Sequence, residues 1–243
     1  MIKIFLSAIS FLTIIPVPKK FSLEFKHSVI FFPLVGLFIG GILILINYLS
    51  SFLFSKNVVD MVVIVSLIII TGGLHLDGFA DTCDGFYAGK DKSDSLRIMD
   101  DAHIGTMGVA GLFCILGLKF FALQSIPQKI IYPALLFFPI LSRWNLVFAC
   151  TISKSAKNEG LGKTFIGTVS KNDLVIATII TFFVSLILFK TKGILILIAT
   201  LLITVLFLKY VIKKIDGITG DILGALNEIC EIFVLLILCI NEK

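Results

Sequence analysis

Seven stretches of the chain are apolar almost without interruption, at roughly residues 28–54, 58–76, 107–123, 130–150, 174–189, 193–208 and 221–240. A transmembrane helix needs about 20 consecutive apolar residues. The pattern therefore predicts an all-α polytopic membrane helix bundle of about seven spans. The fifth and sixth runs are separated only by K-T-K-G (190–193), which predicts a tight helical hairpin. Pro33, Pro133 and Pro139 fall inside apolar runs. Membrane helices tolerate such breaks when neighbours satisfy the freed backbone groups. Residues 1–15 are apolar as well. Lys3 is the one basic residue near their start and no small-x-small cleavage pattern follows, so they do not read as a signal peptide. They read as an interfacial or re-entrant helix, ended by Pro16 and Pro18.

Composition agrees. The 243 residues are 58% hydrophobic and 15% charged, with mean hydropathy +1.07. Soluble domains carry about 25% charged residues. No linker, repeat or low-complexity tract divides residues 1–243, so one integral membrane domain is expected. Cys83, Cys114, Cys150, Cys230 and Cys239 are scattered and form no C-x-x-C pair, which favours free thiols over a zinc site or a disulfide framework. The net charge of +5 is spread over the loops and points to membrane topology rather than nucleic acid. If the N-terminal loop is cytoplasmic, thirteen loop lysines and arginines lie on that side, among them Lys19, Lys20, Lys26, Lys90, Lys157 and Lys214. Five lie opposite: Lys56, Lys129, Lys190, Lys192 and Lys243. The polar segments 77–106, 151–173 and 216–221 then share the cytoplasmic side, which predicts one composite site at that surface.

The acidic residues give this site its chemistry. Asp77, Asp81 and Asp84, in G-G-L-H-L-D-G-F-A-D-T-C-D-G (72–85), fall on one helix face. Three like charges there repel, and desolvation near a membrane adds to the cost. A divalent cation among them makes the arrangement reasonable, and oxygen-only ligands suit Mg²⁺, with Mn²⁺ an alternative. The plainer reading is a solvated helix end. Asp100 and Asp101 point to different helix faces, so at most one of them readily joins the first cluster. Asp221, Glu228 and Glu231 again share a face, and the two glutamates lie inside the last apolar run. Carboxylates in a span are functional by default; the alternative is helix packing through a pair with Arg143 or another buried cation.

Arg143, in L-S-R-W-N, is expected to face the bundle interior and to pair with an acid or a phosphate. In K-N-E-G-L-G-K-T-F (157–165), Gly160 and Gly162 allow close backbone approach, and Lys157 and Lys163 could neutralise phosphates. His75 could be a ligand, a base or a hydrogen-bonded core residue; His27 reads as interfacial. Carboxylates, a divalent cation and basic groups at a membrane surface suggest phosphoryl transfer, with the aspartates as metal ligands and one of them also a general base. Asp84 and His75 are the candidates for proton transfer. The residues alone do not name a substrate. Other readings are a CDP-alcohol phosphotransferase-like enzyme, a cation transporter using the intramembrane acids, and a structural subunit.

The ordered motifs F-L-T-I-I-P-V-P (11–18), F-P-L-V-G-L-F-I-G (32–40), residues 72–85, I-M-D-D-A-H-I-G-T-M-G (98–108), G-L-G-K-T-F (160–165) and T-G-D-I-L-G-A-L-N-E-I-C-E (219–231) together resemble the cobalamin synthase family. The resemblance implies an Mg²⁺-dependent enzyme of the prokaryotic inner membrane with a cytoplasm-facing site. It would join adenosylcobinamide-GDP to α-ribazole or its 5′-phosphate and release GMP. The corrinoid nucleotide, α-ribazole and membrane lipid would be its partners, nucleic acid would not, and a homo-oligomer is compatible. It also implies metal and pyrophosphate roles for Asp77, Asp81 and Asp84, prefers Asp101 over Asp100, and adds Asp221, Glu228 and Glu231. His75 matches the pattern. His103 and Lys157 stand where the family carries arginine, and a lysine lacks the bidentate fork.

Overall fold

The computed structural model describes residues 1–18, 25, 27–157 and 159–240. Lys19, Lys20, Lys26 and Lys243, used in the orientation argument, lie outside them. The described elements are α1 (Ile2–Leu12), α2 (Phe32–Ser51), α3 (Lys56–Thr71), α4 (Leu74–Ala88), α5 (Lys92–Met99), α6 (Thr106–Ser125), α7 (Ile131–Ile152), α8 (Lys171–Ile215) and α9 (Gly220–Cys239). There is no strand among them, only an isolated bridge between Ser155 and Ile218.

Five helical segments are long and apolar enough to cross a membrane, and the bent pair α3–α4 makes a sixth candidate. The expected seven is reached once α8 is seen to fold back on itself. Lys190 has φ 51° and ψ −136°, outside the helical region. Trp144 Nε1 donates to Thr178 Oγ1 at 2.9 Å, and Thr204 Oγ1 donates to the neighbouring Asn145 at 2.8 Å. Two adjacent residues of α7 thus touch residues on opposite sides of Lys190, so the halves run side by side. The expected K-T-K-G hairpin is there. Gly193 packs on the Ser185 carbonyl, where a β-carbon would collide.

Of the prolines, Pro33 and Pro133 occupy the first turns of α2 and α7, and Pro139 sits in the interior of α7. The α1 helix has 11 residues. That length rises about 16 Å, near half the hydrocarbon core, so α1 cannot cross it.

Helix α7 forms the axis, buried along most of its length, with α2, α8 and α9 around it. Its packing on α2 depends on small residues. A β-carbon on Gly40 would lie 2.7 Å from the Leu135 carbonyl, and Gly36 sits as tightly on Pro139. Lipid drives no hydrophobic association between helices, so close backbone contact at such G-x-x-x-G faces supplies the packing.

One turn was not expected. Gly72 and Gly73 both take positive φ, 62° and 69°, and bend the chain 89° between α3 and α4. Two successive left-handed residues are tolerable because glycine has no β-carbon. The acidic face of α4 therefore leaves the line of the apolar run instead of extending it.

Candidate active site

The three polar segments meet at one cavity of about 730 Å³. Its wall includes His75 and Asp77 from α4, Asp100 from the end of α5, and Asp221 from α9. Lys157, Gly160, Gly162 and Lys163 come from the basic loop. Phe11, Phe32, Phe165, Leu146 and Cys150 close its apolar side.

Local structure explains the meeting. Helix α4 crosses α9 through Gly78 and Gly224. A β-carbon on Gly78 would stand 2.8 Å from the Asp221 Cα, and one on Gly224 would stand 3.0 Å from the His75 carbonyl. The basic loop is pinned to the turn before α9 by a short ladder: Ala156 N to Ile218 O and Ile218 N to Lys154 O, both 2.9 Å. A β-carbon on Gly162 would lie 2.8 Å from the Gly220 nitrogen. Gly160 takes φ 111°, a conformation open mainly to glycine. The two glycines thus shape the loop itself. Thr219 caps α9 by accepting from Ile222 N at 3.3 Å, and its hydroxyl donates to Asp221 at 3.0 Å.

Charge in the cavity is dominated by carboxylates. Asp81 does not line the wall; it is half-buried beside it, where Asp77, Asp221 and Asp84 lie close enough for their charges to repel its own. Lys157 is the cation set among them. Its ammonium donates to Asp100 at 2.7 Å and to Asp221 at 3.1 Å. Burial favours its neutral form, but these two carboxylates outweigh burial and hold its pKa above the ordinary lysine value.

The remaining expected residues stand elsewhere. Asp84 is committed to α6: it accepts from Gly105 N at 2.7 Å and from Gly108 N at 2.8 Å, capping the start of that helix. A carboxylate at a helix N-terminus satisfies free amides and complements the dipole. Both its oxygens are therefore engaged in structure. Asp101 is exposed, and its bond from His103 Nδ1 at 2.7 Å holds its carboxyl below the usual range. The acid that reaches the cavity is Asp100, contrary to the preference for Asp101, because Asp100 ends α5 within reach of Lys157 while Asp101 turns into the loop. His103 faces solvent with Asp101 and does not line the cavity.

Glu228 and Glu231 are not joined to the aspartates. Lys119 Nζ lies 2.6 Å from each of them, and Arg143 NH1 pairs with Glu231 and with Ser142. All four charged side chains are buried. This is the ion-pair alternative weighed for these glutamates, with Lys119 as the second cation. Sequence reasoning passed over Lys119, although a lone lysine inside 107–123 was the available signal. Among the described residues, no three His, Cys, Asp or Glu side chains are gathered tightly enough to hold a metal ion.

Comparison with known proteins supplies the family. The cobalamin-5-phosphate synthase family model matches residues 4–239. This chain belongs to that family. It is 38% identical to the adenosylcobinamide-GDP ribazoletransferase of Acetivibrio thermocellus, covering 97% of each chain. The protein of the same name from Thermoanaerobacter pseudethanolicus is 39% identical, over 97% of this chain and 96% of its own. That of Clostridium botulinum strain Langeland is 41% identical over 96% of both. No solved structure matches the chain. Family membership agrees with the motif resemblance and with a multi-pass membrane protein.

Proposed function

We propose that this chain is an adenosylcobinamide-GDP ribazoletransferase. The observation that carries the reading is near-full-length similarity to relatives of that name, at 38% identity over 97% of the chain. The cavity supports it. Its volume of about 730 Å³ lies within the range of small-molecule sites, about 300–1,000 Å³.

In the reaction, a ribose hydroxyl of α-ribazole, or of its 5′-phosphate, attacks the phosphorus on the corrinoid side of the pyrophosphate. The new P–O bond forms to that hydroxyl oxygen. The bond from the same phosphorus to the bridging oxygen breaks, GMP leaves with that oxygen, and the hydroxyl proton is released. Lys157, Lys163 and the first residues of α9, Gly220 and Asp221, line the space where the pyrophosphate charge would lie.

The carboxylates here are donors of the type that a hard divalent cation takes. Asp77, Asp81 and Asp221 concentrate negative charge around Lys157, and carboxylate oxygens favour Mg²⁺ or Mn²⁺. As they stand these three are not gathered tightly enough to hold an ion, so they would have to close around one, which when bound would neutralise phosphate charge. Glu228, Glu231, Asp84 and Asp101 fit this role less well, being paired, capping a helix or facing solvent. The lysine bias supports a site on the cytoplasmic side of the membrane.

The test is direct. Detergent-purified protein given adenosylcobinamide-GDP, α-ribazole and Mg²⁺ should release GMP and form a corrinoid nucleotide; chelation should stop the reaction and added Mg²⁺ or Mn²⁺ restore it. Folded protein that forms no product across metals and added lipids would reject the reading. Activity that survives full chelation would reject the metal.

A further inference from the structure

At and behind the inner wall of the cavity the protein leaves polar atoms without partners: His75 Nε2 in the wall, and Arg143 Nε and NH2 and Asn227 Oδ1 behind it. His75 is 5% exposed, Arg143 and Asn227 0%. They belong to one place. His75 lines the cavity directly. Leu146 lines it one helical turn beyond Arg143, and Gly224 one turn before Asn227, so Arg143 and Asn227 lie behind the wall, one turn from residues that form it. Gly224 packs on the His75 backbone. Glu231 Oε1 accepts from both Arg143 and Asn227.

The network around these atoms dictates what they can take. Asn227 Nδ2 donates to Glu228 at 3.3 Å and Glu231 at 3.0 Å, which fixes the amide so that its oxygen faces away as an acceptor. Arg143 uses NH1 on Glu231 and Ser142 and keeps Nε and NH2 as donors. What remains is two donors, one acceptor, and a histidine nitrogen that can act as either. The two glutamates are balanced by Lys119 and Arg143, so no net charge is left for an anion. A phosphate would meet the arginine but would also face the Asn227 oxygen. A hydroxyl, which accepts and donates at once, satisfies both.

We infer that His75, Arg143 and Asn227 form an inner subsite that binds a ribose hydroxyl of the nucleoside acceptor. The inference rests on the proposed transferase reading and deepens it. The acceptor's sugar enters the buried end, while the pyrophosphate donor is held nearer Lys157 and Asp221. Burial gives the subsite its discrimination. A site built to hydrogen-bond a hydroxyl rejects the analogue lacking it, because the site's own groups are then left unpaired.

The experiment uses the full-length protein in detergent. In wild type, α-ribazole analogues each lacking one ribose hydroxyl are measured as competitors, and one of them should bind at least about tenfold more weakly than the parent, the loss of one buried hydrogen bond. In Asn227→Leu, the KM for α-ribazole should rise about tenfold or more, that for adenosylcobinamide-GDP should stay within about twofold, and the hydroxyl-deletion penalty should shrink. Equal binding of all analogues to wild type overturns the subsite, and that measurement needs no variant to fold. A rise in the donor KM instead of the acceptor KM also overturns it. If wild type forms no product, the transferase reading fails, while direct binding of α-ribazole and its deoxy analogues still decides the subsite.

Discussion

Gly78 of α4 lies directly against Asp221 of α9, where a β-carbon would stand only 2.8 Å from the Asp221 Cα and so has no room. This contact is what brings Asp77 and Asp81 beside Asp221. Gly78→Val should force the two helices apart and cost about 1–3 kcal/mol of stability, the usual penalty for overpacking. Transfer activity should fall further than stability explains, because the carboxylates separate. Thermal unfolding in detergent beside GMP release checks both. A fully active Gly78→Val would show that the crossing does not assemble the site.

Asp84 and Asp81 should separate into a structural and a chemical role. Asp84→Ala leaves the Gly105 and Gly108 amides at the start of α6 without their acceptor and should cost about 1–3 kcal/mol. Asp81→Asn removes a charge that its neighbours repel, so stability should hold or rise, while activity drops on the order of a hundredfold. Tm and turnover of the two variants read this out. A destabilised Asp81→Asn with normal turnover would reverse the assignment.

Lys119→Met leaves Glu228 without its cation in the bundle interior. Breaking a buried pair costs about 3–5 kcal/mol, whereas removing both charges is often near neutral. Lys119→Met with Glu228→Gln should therefore recover most of the loss. Denaturation of the two single variants and the double variant completes the cycle. A double variant no more stable than Lys119→Met would mean that the pair does not act as a unit.

Orientation is tested with reporters that fluoresce only in the cytoplasm. Fusions ending after Lys92 or Ser155 should glow, and those ending after Lys56 or Lys129 should stay dark. The reverse pattern would put the cavity on the outer face.

The chain's own pattern settled much about this protein. Apolar runs of near-bilayer length left helices as the viable spans, because backbone groups in lipid must bond within their own segment. The K-T-K-G break announced the hairpin at Lys190. The acidic and basic segments were legible because charges are costly near hydrocarbon and stand out against it. Periodicity could not say which charges meet, since spacing along one helix carries no information about its neighbours. Asp77 and Asp221 share a cavity because Gly78 and Gly224 let two backbones touch. Asp84, on the same helix face, is turned to capping duty by amides 21 and 24 residues away. Glu228 and Glu231, in register with Asp221, are neutralised by Lys119 and Arg143 from other helices. Which carboxylates remain available for chemistry was decided by the partners that packing brought to each of them.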